Sequence, residues 1–236
     1  MMEELIFNTY FIGAFLLRCI ILYYVIKTAR QLNLIAFYFL GLHFLLIGII
    51  NLLMGADIPN EIPILMDLII YAIFIKMTFY KDKKGPFYLI ITVIISLSIL
   101  NFLLLIFAKY LMLLSLFSNI NYIILHSWLF IISLSAYLKL RSYDSIKPWI
   151  RSRYILVIVY SIIGTFSQIL FIINMGERSV NIMTFGLMIS YIIIPLAEFL
   201  AWVMPAKFKN WLNRKYVYDE DIELSEEEIM NSFEGK

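Results

Sequence analysis

Apolar residues arrive in long runs along the chain, and short gaps carrying charges, prolines or glycines separate them. The runs cover 5–26, 33–54, 62–80, 87–108, 117–138, 155–174 and 181–204. At about 1.5 Å of rise per helical residue, each is long enough to cross a hydrocarbon layer of roughly 30 Å. The pattern predicts an all-α polytopic membrane protein, a bundle of seven transmembrane helices occupying residues 1–204. The outer end of the fifth helix falls between 111 and 120, because "YLMLLSLFSNINYIILHSW" stays apolar throughout.

Composition agrees with the pattern. Hydrophobic residues make up 62% of the 236 and charged residues only 15%, too few polar groups to cover a water-soluble surface. Cys19, the one cysteine, lies inside the first run, so no intramolecular disulfide can form, and a small buried side chain is expected there. The opening "MMEEL" is acidic and lacks a basic n-region, so the first helix is expected to remain in the mature protein.

Charge then orients the bundle. Sixteen of the 19 basic residues fall in the gaps after runs one, three and five, in the inner edge of run three, and in the tail. Only Lys109 and Arg178 fall on the opposite side, and Arg18 stands within the first run. The positive-inside rule places the N-terminus outside and the C-terminus in the cytoplasm of a multi-pass cell-membrane protein. After Pro205, Phe208, Trp211, Leu212 and Tyr216 share one face at helical spacing, opposite Lys207, Lys209 and Arg214. Residues 205–217 therefore read as an amphipathic helix lying at the membrane interface, its cations near anionic lipid. Residues 218–236 form an acidic cytoplasmic tail, with Ser225 and Glu228 spaced as a capping box. Residues 205–236 are also where a cytoplasmic protein partner would dock; nucleic acid is not expected.

Ionisable groups inside the spans are costly and usually face the bundle interior. Arg18, His43, Asp67, His126 and Glu198 are of this kind. Counting from the cytoplasmic ends of their runs, His43, Asp67, Asn101, His126 and Gln168 all fall about 20 Å above the inner surface. Five polar side chains on five helices at one level predict a ligand-binding chamber open to the outside, taking a small molecule or a proton. Interhelical hydrogen bonding is the structural alternative. A histidine level with an aspartate also suggests pH sensing or a proton relay. Arg18 and Glu198 lie deeper, about 12 and 9 Å above the inner surface, and are expected to form a buried ion pair between the first and last helices.

Several chemistries are missing. The layout resembles adiponectin-receptor and alkaline-ceramidase hydrolases, but two histidines cannot supply their three-histidine zinc site. No lysine lies between Val180 and Met204, which removes a retinal Schiff base of the microbial-rhodopsin kind. GxSxG, phosphate-cradling loops and Cys/His clusters are lacking, so neither an enzyme nor a bound cofactor or metal is expected. In layout the chain resembles seven-helix receptors, and "YIIIPLAEF" carries Pro195 in a comparable place. It has no Asp-Arg-Tyr after the third run and no Asn-Pro-x-x-Tyr in the seventh. It also resembles the membrane half of seven-helix bacterial sensors, without a following kinase or cyclase domain. These likenesses imply a receptor-like sensor or partner-regulating protein. A small-solute or proton transporter, or channel, is the second reading, and a structural subunit of a membrane complex the third.

Overall fold

A computed structural model of the chain describes residues 2–55, 61–80, 85–108, 111–141, 146–173 and 182–214. Eight helices and no strand occur among them: α1 (Met2–Leu32), α2 (Ile35–Gly55), α3 (Glu61–Phe79), α4 (Phe87–Ala108), α5 (Leu111–Arg141), α6 (Pro148–Ile173), α7 (Ile182–Trp202) and α8 (Ala206–Asn213). Thr9–Gln31, Ile35–Leu53, Ile62–Phe79, Leu116–Arg141 and Pro148–Ile173 are long and apolar enough to cross a membrane. Met188–Trp202 and Ala206–Asn213, bent 75° apart, raise the number to six if they are taken as one span, while α4 contributes the shorter stretch Phe87–Leu103. The chain is an all-helical, multi-pass membrane protein.

Helix ends differ from the edges of the apolar runs for a simple reason. Hydropathy marks where lipid contact stops, whereas a helix continues until its backbone bonding is interrupted. Helix α1 therefore runs through Lys27 and Arg30 to Leu32. It stops where Asn33 turns left-handed (φ 51°) and the Leu34 N–H donates to the Ala29 carbonyl, a Schellman-type closure. Helix α6 begins seven residues earlier than its apolar run, at Pro148, whose fixed φ and missing N–H suit a first helical turn.

Consecutive helices pack side by side, and α7 returns to α1, closing the order into a ring. Helix α3 also touches α5, so it lies central while α4 sits outside that contact. Leu68, Tyr71, Ala72, Phe74 and Ile75 of α3 are accordingly buried, whereas Leu89, Ile99 and Phe102 of α4 are exposed and suited to lipid. Close approach of α1 and α2 depends on Gly48. A β-carbon there would stand 3.2 Å from Phe15 Cδ2 and 3.8 Å from Arg18 Cβ.

Candidate functional site

Four pairs of residues, each spaced i,i+4 and so sharing a helix face, meet inside the ring: Asp67 and Tyr71 on α3, Tyr122 and His126 on α5, Tyr160 and Gly164 on α6, and Glu198 and Trp202 on α7. His43 of α2 stands among them. Its Nδ1 lies 2.7 Å from Asp67 Oδ1, and the second carboxylate oxygen, Oδ2, accepts a hydrogen bond from the Tyr122 hydroxyl at 2.9 Å. The other ring nitrogen, Nε2, faces Glu198 Oε1 at 3.8 Å. Tyr71 donates to that same Glu198 oxygen at 2.9 Å and shares a hydrogen bond of 3.3 Å with the Tyr160 hydroxyl. Trp202 Nε1 then donates to Tyr160 at 3.0 Å.

The result is one chain of polar contacts: Tyr122, Asp67, His43, Glu198, Tyr71, Tyr160, Trp202. It draws on five helices. Asp67 is 0% exposed and Glu198 2%. The His43 ring is held flat against Tyr71, with centroids 4.1 Å apart and planes inclined by 11°. A buried carboxylate with such partners keeps its hydrogen bonds satisfied where water is absent.

Arg18, buried on α1, brings a fourth ionisable group, close enough for its charge to reach Glu198 and His43. Helices α1 and α7 run parallel, since Tyr10 bonds the Met188 carbonyl and, further along both, Tyr24 packs edge-on against Phe199. Glu198 thus lies about one turn further along than the residue beside Arg18, roughly 5 Å. The expected ion-pair partners are therefore neighbours within a larger set. Counting along the sequence puts Glu198 about 11 Å deeper than His43; the two instead face each other at 3.8 Å. The depth of His43 is overestimated when it is counted from Arg30, which belongs to α1: α2 starts at Ile35, so His43 stands only about 12 Å from its cytoplasmic end.

The other expected ligand residues divide. His126 joins the cluster through ring contacts to Tyr71 at 6.3 Å and Tyr122 at 6.5 Å. Its Nδ1 is buried with no hydrogen-bond partner among the described residues. Asn101 lies elsewhere, between α4 and α5, donating to Ser118 Oγ at 3.2 Å. Gln168 is buried on α6 and makes no hydrogen bond to the cluster among the described residues. His43, Asp67 and His126 do converge, and all three are buried. No group of three or more His, Cys, Asp or Glu among the described residues is placed to hold a metal ion. Tyr71, Tyr122, Tyr160 and Trp202 are members of the cluster that the pattern of ionisable residues does not reveal. Their signal is the spacing, because three of them stand four residues from a polar residue already singled out.

Past Trp202 the chain turns at Met204, which is 1% exposed and has a left-handed backbone (φ 43°). Helix α8 then folds back on α6. Phe208 and Leu212 pack against the cluster of Trp149, Ile150, Tyr154 and Met204, and Asn213 Oδ1 accepts from the Trp149 N–H at 3.3 Å. Lys209 Nζ sits 4.1 Å from the centre of the Trp149 ring. Of the four residues expected to face lipid, Phe208 and Leu212 face the bundle, Trp211 is 53% exposed, and Tyr216 lies outside the described residues. No protein family, curated protein or solved structure matches this chain.

Proposed function

We propose that this protein is a receptor-like membrane sensor that responds to protons, with His43 as the receiving residue and α8 as the responding element. The observation that carries this reading is His43 held between carboxylates of two different helices, Asp67 on one side and Glu198 on the other. Arg18, His43, Asp67 and Glu198 sum to zero when one proton is shared among His43 and the carboxylates. They sum to minus one when it leaves. A net charge within a bilayer is costly, so the packing of α1, α2, α3 and α7 should differ between the two states. Tyr122 and His126 face this set from α5, and Tyr160 from α6, none bringing a further fixed charge.

Glu198 and Trp202 occupy the last two turns of α7, next to the elbow that carries α8. A shift of α7 would therefore move α8 and the tail that follows it. Seven spans with the N-terminus outside put α8 and residues 205–236 in the cytoplasm, where a protein partner or anionic lipid would read them. Labelling of a C-terminal tag on intact cells would reverse that orientation.

The test uses the full chain in lipid nanodiscs, with an environment-sensitive dye on Lys207→Cys in a Cys19→Ser background. A dye signal that titrates between acidic and mildly basic pH, and is lost in His43→Gln, supports the sensor. A signal independent of pH, or identical in His43→Gln, ends it. A second reading, proton transport, is favoured by the unbroken run of polar contacts from Tyr122 to Trp202. Acidification of liposomes containing the protein, followed with a trapped pH dye, separates transport from sensing.

A further inference from the structure

A lysine at the rim of the bundle stands apart from the His43 network. Lys76 occupies the last turn of α3, and the first two residues of α4, Phe87 and Tyr88, lie beside it. Its Nζ is 4.9 Å from the centre of the Phe87 ring and 5.4 Å from that of Tyr88. Phe87 is buried, whereas Tyr88 is 63% exposed, and Lys76 itself is half-buried. The ammonium therefore sits where the interior of the bundle meets its surroundings.

The two rings attract this charge without neutralising it, because an aromatic face carries a quadrupole and no net charge. Among the described residues the ammonium enters no ion pair and no hydrogen bond. Asp67, nine residues earlier on α3, is committed to His43 and Tyr122, and α4 has no acidic residue. Three N–H donors are thus available to an anionic acceptor. A charge half withdrawn from water also attracts an anion more strongly than a fully exposed one. Phosphate fits the place. The ends of spanning helices lie at the headgroup level, where tyrosine is favoured, and lysine binds phosphate as a point charge. The Tyr88 hydroxyl makes no hydrogen bond among the described residues and remains a second donor. On the face of α4 that carries Tyr88, Ile95 and Ile99 are exposed, as an acyl chain requires. The sequence joining α3 to α4, Lys81-Asp82-Lys83-Lys84, adds net positive charge.

We infer that Lys76, framed by Phe87 and Tyr88, forms a binding site for the phosphate of an anionic phospholipid at the corner of α3 and α4, with the ammonium as its principal contact. The site is separate from His43 and from α8, and it stands whether or not the sensor reading does.

Thermal unfolding of the full chain in a non-ionic detergent tests it, with short-chain phosphatidylglycerol or phosphatidylcholine added at fixed pH and ionic strength. A ligand that binds only the folded state raises Tm with concentration, so Tm should climb by a few degrees with phosphatidylglycerol and stay level with phosphatidylcholine. Lys76→Met should lose most of that climb, whereas Lys76→Arg and Lys207→Gln should keep it. Tyr88→Leu, a change at an exposed position, should weaken the climb and carries the test if Lys76→Met folds poorly. Equal Tm in the two lipids for the wild type would overturn the site. A climb unchanged in Lys76→Met, or abolished in Lys207→Gln, would overturn it too, by placing the lipid elsewhere. Inorganic phosphate should have no such effect; a climb of the same size with phosphate alone would overturn the lipid as occupant.

Discussion

The ring of His126 lies across Gly164: a β-carbon at 164 would stand 2.8 Å from both Cε1 and Nε2 of the imidazole. Helices α5 and α6 pack closely here because the glycine has no side chain. Gly164→Ala should force the ring off its contacts with Tyr71 and Tyr122, an overpacking cost of about 1–3 kcal/mol. Tm measured in nanodiscs should fall. Adding His126→Ala should recover part of the loss, since the clash then has no second partner. A Tm unchanged in Gly164→Ala would mean that the ring has room to move at no cost.

Asp67 and Tyr122 allow two kinds of loss to be ranked. Asp67→Ala removes a charge that His43 and Tyr122 both use, and breaking one side of a buried pair costs about 3–5 kcal/mol. Tyr122→Phe removes one neutral donor, and interhelical hydrogen bonds in membranes average only about 0.6 kcal/mol. Unfolding of the two variants under the same conditions should therefore differ by a wide margin, with Tyr122→Phe near wild type. Comparable losses would show that the hydroxyl carries more of the network than its neutral character implies.

Much of this fold was legible in the sequence, because lipid exposure writes long apolar runs that no other structure explains. The ionisable residues inside them also announced an interior role, since His43, Asp67, Glu198 and Arg18 are all buried. Their grouping was less legible. Depth along a helix follows from counting, but Asn101, counted to the same level as His43, bonds Ser118 at the seam of α4 and α5 instead. Rotation about each helix axis decides that, and helices apolar on all sides leave little amphipathic signal to fix it. The aromatic members were hidden for a related reason. Tyr71 and Tyr160 look like ordinary core residues until a carboxylate is placed opposite their hydroxyls.

A coupling between Arg18 and Glu198 can be measured by removing charge. Exchanging the two residues would put a guanidinium against Tyr71 and His43, where Glu198 now accepts a hydrogen bond, so a swap tests more than the pair. Arg18→Gln alone leaves the set with an added negative charge and should lower Tm strongly. Arg18→Gln with Glu198→Gln restores the charge balance. The double variant should be more stable than the sum of the singles implies, by a coupling of about 0.5–3 kcal/mol. Additive losses would show that Arg18 and Glu198 act independently.

The elbow before α8 yields the sharpest comparison. Met204 combines a left-handed backbone with a side chain buried among Trp149, Tyr154 and Phe208. Truncating that side chain should destabilise whichever small residue replaces it, by about 2–5 kcal/mol for a buried methionine taken to alanine. The backbone separates the two smallest replacements. Alanine must still hold a left-handed conformation that costs an L-residue about 1–2 kcal/mol, whereas glycine adopts it freely. Met204→Gly should therefore unfold at a higher temperature than Met204→Ala, the reverse of their order within a helix, where glycine is worse by about 1 kcal/mol. If alanine proves the more stable, the elbow is not held left-handed in the membrane, and α7 would continue toward α8 without the turn that docks Phe208 and Leu212 on α6.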